Sequence, residues 1–421
     1  MPLFAVDPAL HSANNGFVLL SAALVLMMTP ALALFYAGFV RSRNVLNTMA
    51  MSFAAMALVS VLWVLFGYSL AFSPGHGALA PFIGGLGWAG LSNWSSPYGD
   101  GQLSHGAVAF FQLTFAIITP ALISGAVVER MHFRAWLAFV ALWSTFVYLP
   151  LAHMVWGPGG FLGADGLGAL DFAGGLVVEM ASGVAAAVSA AVVGRRRNYP
   201  AQNSPPHNVA FILLGAGLLW FGWFGFNGGS GLLAGNLASL ACLTTNAAGA
   251  AAALGWMIIE LLQRGKPTAV GVATGAVAGL VAITPAAGFV SPMAALLIGF
   301  AAALVCNGAL QLKNRSGLDD SLDVLPVHGV AGLLGILLTG LLSVKVLNPA
   351  GADGLLAGHA EQLWIQLKAA GFTLLWVGVG TFAILQMLRM LMPLRVSEND
   401  ERQGLDINAH GEEAYNTEFT V

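Results

Sequence analysis

The sequence predicts an all-α integral membrane protein: eleven transmembrane helices, arranged as two inverted five-helix repeats followed by a long eleventh helix. Three observations predict it. Of the 421 residues, 57 % are hydrophobic and only 8 % charged, with a mean hydropathy of +0.79. Soluble domains carry about 25 % charged residues, so this chain cannot cover a large water-facing surface, and the bilayer must be its solvent. Apolar runs long enough to cross about 30 Å of hydrocarbon then recur along the whole sequence. Finally, Lys and Arg cluster after every second run, as the positive-inside rule requires of alternating loops.

Taken in order, the spans fall near Asn15–Val40, Thr48–Phe72, His105–Val128, Phe133–His153, Phe172–Gly194 and Val209–Asn227. They continue at Ala238–Leu262, Ala269–Gly288, Met293–Leu312, Val327–Leu347 and Leu363–Met392. Arg41 and Arg43 follow the first, Arg130 and Arg134 the third, and Arg195, Arg196 and Arg197 the fifth. Arg264 and Lys266 follow the seventh, Lys313 and Arg315 the ninth, and Arg389, Arg395 and Arg402 lie at or after the eleventh. Only Lys345 and Lys368 fall on the other side. An odd span count therefore puts the N-terminus outside and the C-terminus inside. The 53 glycines, mixed with alanine and serine, suit membrane helices that pack backbone to backbone.

The chain divides into a transmembrane domain over 1–392 and a tail over 393–421. Repeats are expected at about 15–194 and 209–347, with the eleventh helix at about 363–392. The loop Ser73–Ser104 is Gly-rich and free of Lys and Arg, as an external loop would be. The tail mixes arginine, acidic residues, tyrosine and histidine, which suits either a solvated end or docking on the cytosolic face. The first residues, MPLFAVDPALHSANN, lack a basic n-region and give no cleavable leader. Cys242 and Cys306 stand singly, so neither a disulfide framework nor a metal site is expected, and no cofactor is implied. Nucleotide-binding loops and nucleophile triads are absent in plausible contexts, which argues against an enzyme.

Two ionisable residues lie in mid-span. Glu179 in VVEMASG and His328 in PVHGVAG each follow a valine and precede a glycine by four positions. Such residues are costly in hydrocarbon, usually face an interior cavity, and need a partner. Inverted repeats place equivalent half-sites near the bilayer midplane, where Glu179 and His328 would face each other and share a proton. Aromatic residues gather towards the external ends. Phe111 and Phe115 share one face of the third span at i, i+4, and Trp223, Phe226 and Ser230 one face of the sixth at i, i+3, i+7. Trp156 follows the fourth at the same outer level. Ring faces hold a small cation, and the Ser230 hydroxyl can accept from its N–H groups. Asp171 opens the fifth span, where its direct role is an N-cap. Glu260, Asp320 and Asp323 read as ordinary interfacial charges.

The stretches MTPALALFYAGFVRSRNVLNTM, AHMVWGPGG, GALDFAGGLVVEMASG, GWFGFNGGS, DVLPVHGVAG and LRVSENDERQGLDINAHGEEAYN resemble the ammonium transporter (Amt/Mep/Rh) family, on its Amt side. The resemblance runs from about Asn14 to Tyr415. It implies a homotrimer in the cell membrane, the inner membrane of a Gram-negative cell, with a narrow pore in each subunit. Phe111, Trp156, Asp171 and Ser230 would then form an outer site for ammonium, with methylammonium as analogue. Phe115 and Phe226 would close the pore beneath, with Trp223 lining it. His328 matches the second of two pore histidines. Glu179 stands where most Amt proteins have the first, as in some fungal Mep proteins. Together they form the expected proton relay. The tail would help a PII-type signalling protein dock from the cytosol. An ammonium sensor with little flux, or a passive neutral gas channel, are the alternative readings.

Overall fold

The computed structural model describes residues 8–197, 199–200 and 205–415. The leader reading therefore lies in part outside the described residues, as does the end of the tail, residues 416–421. Among the described residues, ten apolar helices are long enough to cross a bilayer: Leu10–Phe39, Ser42–Phe72, His105–Ala126, Phe133–Trp156, Gly175–Val193, Val209–Gly228, Asn236–Arg264, Pro292–Ser316, Leu325–Leu342 and Ala360–Leu391. The eighth expected span contributes a shorter helix, Ala269–Ile283. At 1.5 Å per residue it covers only about 22 Å, and its chain continues as turns through Thr284–Pro285, where it packs against the start of the fifth span. We number the spans one to eleven in this order.

Burial follows from composition. Small side chains such as Ala248, Ala252, Ala278 and Ala302 line the contacts among the seventh, eighth and ninth spans and are fully enclosed. Large apolar side chains, among them Leu20, Phe146, Leu243, Leu304 and Leu375, point outward and are exposed. This inside-out arrangement fits a lipid surround, where packing rather than hydrophobicity drives helix association. The molecule is a multi-pass membrane protein.

The two halves correspond around their ionisable residues. The fifth span begins with a π-helical turn, Gly175–Met180, and the tenth with another, Leu325–Val330. Glu179 lies in the first and His328 in the second. A Cβ on Gly183 would meet the Gly329 backbone nitrogen at 2.1 Å, and one on Gly332 the Glu179 Cβ at 2.9 Å. Glycines four residues beyond each ionisable group therefore let the two helices cross in backbone contact.

The basic face is held by buried charge. Arg130 is fully enclosed and donates to the carbonyls of Gly194 (2.7 Å) and Asp319 (2.6 Å). Arg196 bridges Glu129 (3.0 Å) and Asp319 (2.8 Å). Burial pushes both carboxyls up, but Arg196, joined by the Arg41 N–H at Glu129 and by Arg130 at Asp319, outweighs it and holds both below the usual carboxylate range. The tail docks on this face. His132 N–H donates to the Leu394 carbonyl (2.8 Å), Arg395 pairs with Glu401 (2.6 Å), and the Asn47 N–H donates to Asp406 (2.8 Å). The Tyr415 hydroxyl lies 2.9 Å from His207 Nε2.

Arg196→Ala leaves Glu129 and Asp319 buried without the cation that bridges them, which costs about 3–5 kcal/mol. Both folded pKa values lie below the unfolded ones. Their stabilisation is thus complete above about pH 5 and is lost as pH falls through the folded values. The melting-temperature gap between wild type and Arg196→Ala, followed by intrinsic fluorescence in detergent, should be wide at pH 7 and close as pH drops below 4. A gap independent of pH would contradict the network.

Candidate functional site: an aromatic stack above a buried Glu–His pair

At the crossing of the fifth and tenth spans, Glu179 Oε2 lies 2.7 Å from His328 Nδ1, with both side chains almost wholly enclosed. A contact this short between a carboxylate and a ring nitrogen requires one shared proton. Above the pair is a cavity lined by Met28, Leu32, Ile118, Val178, Trp223 and Phe226 together with Glu179 and His328. It leaves about 10 Å³ for the centre of a water-sized molecule, room for about one such molecule at a time. The Trp223 indole N–H is satisfied by the Thr284 hydroxyl at 2.9 Å, so that ring presents its apolar part to the lumen.

Phe226 also belongs to an aromatic cluster. Its ring stacks on Phe115 with centroids 4.2 Å apart and planes at 29°. Phe111 meets Phe115 edge-on at 4.9 Å, and Trp156 meets Phe115 edge-on at 6.1 Å. Three spans thus deliver four rings to one place. Ser230 follows one turn after Phe226 and donates its hydroxyl to the Phe226 carbonyl (2.8 Å), leaving the oxygen lone pairs available as acceptors.

Asp171 sits beneath Trp156, whose indole N–H donates to the Asp171 carbonyl (3.0 Å). Its carboxylate accepts from the backbone N–H groups of Gly174 (2.9 Å), Gly175 (2.6 Å) and Leu176 (2.8 Å). That is an N-cap on the π turn that carries Glu179, and it fastens the tryptophan to the start of the same span. Asp171 therefore acts on the site mainly through the backbone.

On the other side of the pair a wider vestibule of about 340 Å³ opens towards the basic face. Phe35, Tyr36, Trp256 and Val327 line it, and His328 is its inner end. His328 borders both spaces, whereas Glu179 borders only the upper one. The pair is the partition between them.

Two readings of the acidic residues change. Asp320 is fully buried and Glu260 nearly so, so neither is an ordinary interfacial charge. Glu260 accepts from the Thr268 N–H (2.6 Å) and hydroxyl (2.9 Å), and so holds the residue that caps the eighth helix. Asp320 accepts from the Leu325 N–H (2.7 Å) at the start of the tenth span. Its signal was present in the sequence: Asp171 precedes Glu179 by eight residues, and Asp320 precedes His328 by the same eight. Tyr36, fully buried in the vestibule wall with its hydroxyl on the Leu122 carbonyl (3.0 Å), carried no such signal.

Fold and site define a polytopic membrane protein with a constricted lumen, closed by stacked aromatic rings and crossed by an ionisable pair. The chain belongs to the ammonium transporter family, whose model matches residues 16–415. It is 49 % identical to the ammonium transporter of Bacillus subtilis (strain 168) over 405 residues, 96 % of this chain and 98 % of that protein. The crystal structure of Saccharomyces cerevisiae Mep2 superimposes with a TM-score of 0.86 at 35 % identity, covering 94 % of this chain and 92 % of that one. A structure described as a sensor Amt protein reaches the same TM-score, 0.86, at 27 % identity, covering 96 % and 99 %.

The helix crossing gives a direct check. Gly183→Val puts a branched side chain where the Gly329 backbone already stands at 2.1 Å from a bare Cβ, so the variant should lose the folded protein in detergent size-exclusion chromatography. Gly217→Ala, at a sixth-span glycine with nothing within 4 Å of the added carbon, should elute as wild type. Equal behaviour of the two variants would contradict the close crossing.

Proposed function

We propose that the protein transports ammonium across the cell membrane, with the N-terminus and aromatic cluster outside and the basic face and tail in the cytosol. A cation with N–H groups is drawn to the ring faces of Phe111 and Trp156 and to the Ser230 oxygen. It gives up a proton at the level of Asp171. Neutral ammonia passes Phe115 and Phe226 and crosses the apolar cavity beside Trp223, which is too narrow and dry for a hydrated ion. The proton passes through Glu179 and His328. Its balance is simple: a proton enters on the carboxylate side, the shared proton shifts between Oε2 and Nδ1, and one leaves from Nε2 into the vestibule, where ammonia recovers it. The observation that carries this reading is the 2.7 Å contact between Glu179 and His328 at the partition of two lumens. An ionisable pair has no purpose in a conduit for neutral gas alone.

The assembly we propose is a homotrimer, each subunit with its own pore, in the plasma membrane or the inner membrane of a Gram-negative cell. The docked tail, tied to the loops after the first, third and fifth spans, would report the binding of a cytosolic PII-type protein to those loops. A second reading, an ammonium sensor that signals through the tail with little flux, is favoured only by the likeness to the sensor Amt protein.

Uptake of methylammonium and of ammonium in cells that lack their own ammonium uptake separates these readings. Transport predicts uptake together with an inward current on an ammonium step. Uptake without current would make the pore a gas conduit, and binding without uptake would make the protein a sensor. Within the transport reading, Trp156→Leu should raise half-saturation roughly 5- to 30-fold, since a partly desolvated cation–π contact is worth about 1–2 kcal/mol. Trp156→Phe should restore most of it. Unchanged half-saturation in the folded Leu variant would remove the ring face from substrate binding.

A further inference from the structure

We propose that Asp320 is a positioning residue for the proton step: it sets the start of the π turn that aims His328 at Glu179. The inference rests on the transport reading above. Asp320 borders neither the cavity nor the vestibule, so it touches no substrate and acts only through the tenth span. Its Oδ2 accepts from the Leu325 N–H at 2.7 Å, the first residue of the turn Leu325–Val330. A π turn carries one residue more than an α turn. If its start slips, residues beyond it rotate by about 100° relative to the rest of the helix, and His328 leaves Glu179. The cap therefore decides the direction of a side chain three residues further on.

The segment that carries Asp320 is built to hold still. Arg130 donates to the Asp319 carbonyl (2.6 Å) and Lys313 to that of Asp320 (3.1 Å). The Leu322 N–H donates to the Gly125 carbonyl (3.1 Å). Asp323, three residues on, adopts a positive φ of 60°, an uncommon conformation for a non-glycine residue that persists because its surroundings impose it. Arg196 pins Asp319 from the side (2.8 Å). The cap is placed by at least four contacts from three other parts of the chain.

Asp320 is wholly enclosed, and its Oδ1 has no hydrogen-bond partner among the described residues. Burial, with Asp323 second, pushes its carboxyl up to about 6, against Lys313 and the N–H groups of Leu325 and Val324. The charged and titratable groups facing it are Asp323 on its own segment, Lys313 of the ninth span, Arg130 of the turn after the third, and Tyr36 of the first. An asparagine would cap the same N–H without the charge. The symmetry with Asp171, eight residues before Glu179, completes the argument: each member of the pair has its own buried aspartate fixing its own π turn.

Two variants separate geometry from charge. Asp320→Asn keeps an acceptor within reach of Leu325 and removes the charge. Asp320→Glu keeps the charge and moves the acceptor by a methylene. Ammonium currents of the full-length protein in liposomes, recorded from pH 5 to 8, should be near wild type for the Asn variant. In the Glu variant they should fall about tenfold or more, as misplacement by about 1 Å can cost up to a hundredfold, with a displaced pH profile and an unchanged half-saturation. Loss in Asn with retention in Glu would make charge the cause and overturn the proposal, as would wild-type profiles in both or equal loss in both. Failure of the transport reading shows separately, as wild-type protein without current. If the Glu variant does not assemble, Asp320→Ser takes its place. Serine shortens the reach to Leu325 where glutamate lengthens it, so it also displaces the acceptor, with the same loss predicted and a native profile overturning the proposal.

Discussion

A carboxylate and an imidazole 2.7 Å apart, nearly sealed from solvent, close a lumen with room for about one water-sized molecule. Everything around them serves to make that contact tolerable. A buried charge is expensive unless it is paired and its partners are fixed, and here each partner projects from a helix that would rather continue in regular α geometry. Both helices open in a π turn instead, and both turns are fastened by an aspartate. Glycines at the crossing bring the two backbones close enough for the side chains to meet. Remove any one of these and the pair separates, leaving an unpartnered ionisable group in an apolar channel.

The same constraint orders the two spaces it divides. The upper cavity is narrow and walled by aliphatic and aromatic side chains, so an ion entering it would shed its water with little in return. The lower vestibule is wide and ends in the ion-paired basic face, so it can hold water up to His328. A proton and a neutral amine can separate at such a boundary and rejoin beyond it, whereas a hydrated cation of similar size meets a wall. In the proposed transport the stacked Phe115 and Phe226 rings, 4.2 Å apart, would have to swing aside for each passage.

Much of this was legible in the sequence, and the parts that were not have physical reasons. The apolar spans follow from hydropathy, because lipid tolerates few charges along a helix that crosses it. Glu179 and His328 stood out because no bilayer-facing position accepts them, and each pointed to the other as partner. The π turns did not show, since one inserted residue barely alters an apolar pattern that is hydrophobic all round. Asp320 was hidden beside Asp319 and Asp323, in a run that reads like a solvated loop, although its spacing to His328 repeats that of Asp171 to Glu179. The eighth span reads as long as the others because Thr284–Gly288 is still apolar, but Pro285 ends the helical ladder there. The tail's mixed charge suits solvent and docking equally. Only the partners it finds, Arg195, Arg197 and Asn47 among them, decide for docking.

The central claim is that the Glu179–His328 pair carries the proton, and its most direct test is the pH dependence of ammonium current in Glu179 variants. A carboxylate–imidazole pair and an imidazole–imidazole pair hold different charge at the same pH. In a poorly screened lumen that difference acts on the cost of admitting a proton. Currents should be recorded from pH 5 to 8 for wild type, Glu179→His and Glu179→Gln in the same membranes, with the amount of folded protein matched. The account predicts current in the His variant with a displaced pH optimum, and a Gln variant that folds but passes much less current. Three superimposable profiles of equal amplitude would show that the proton takes another route.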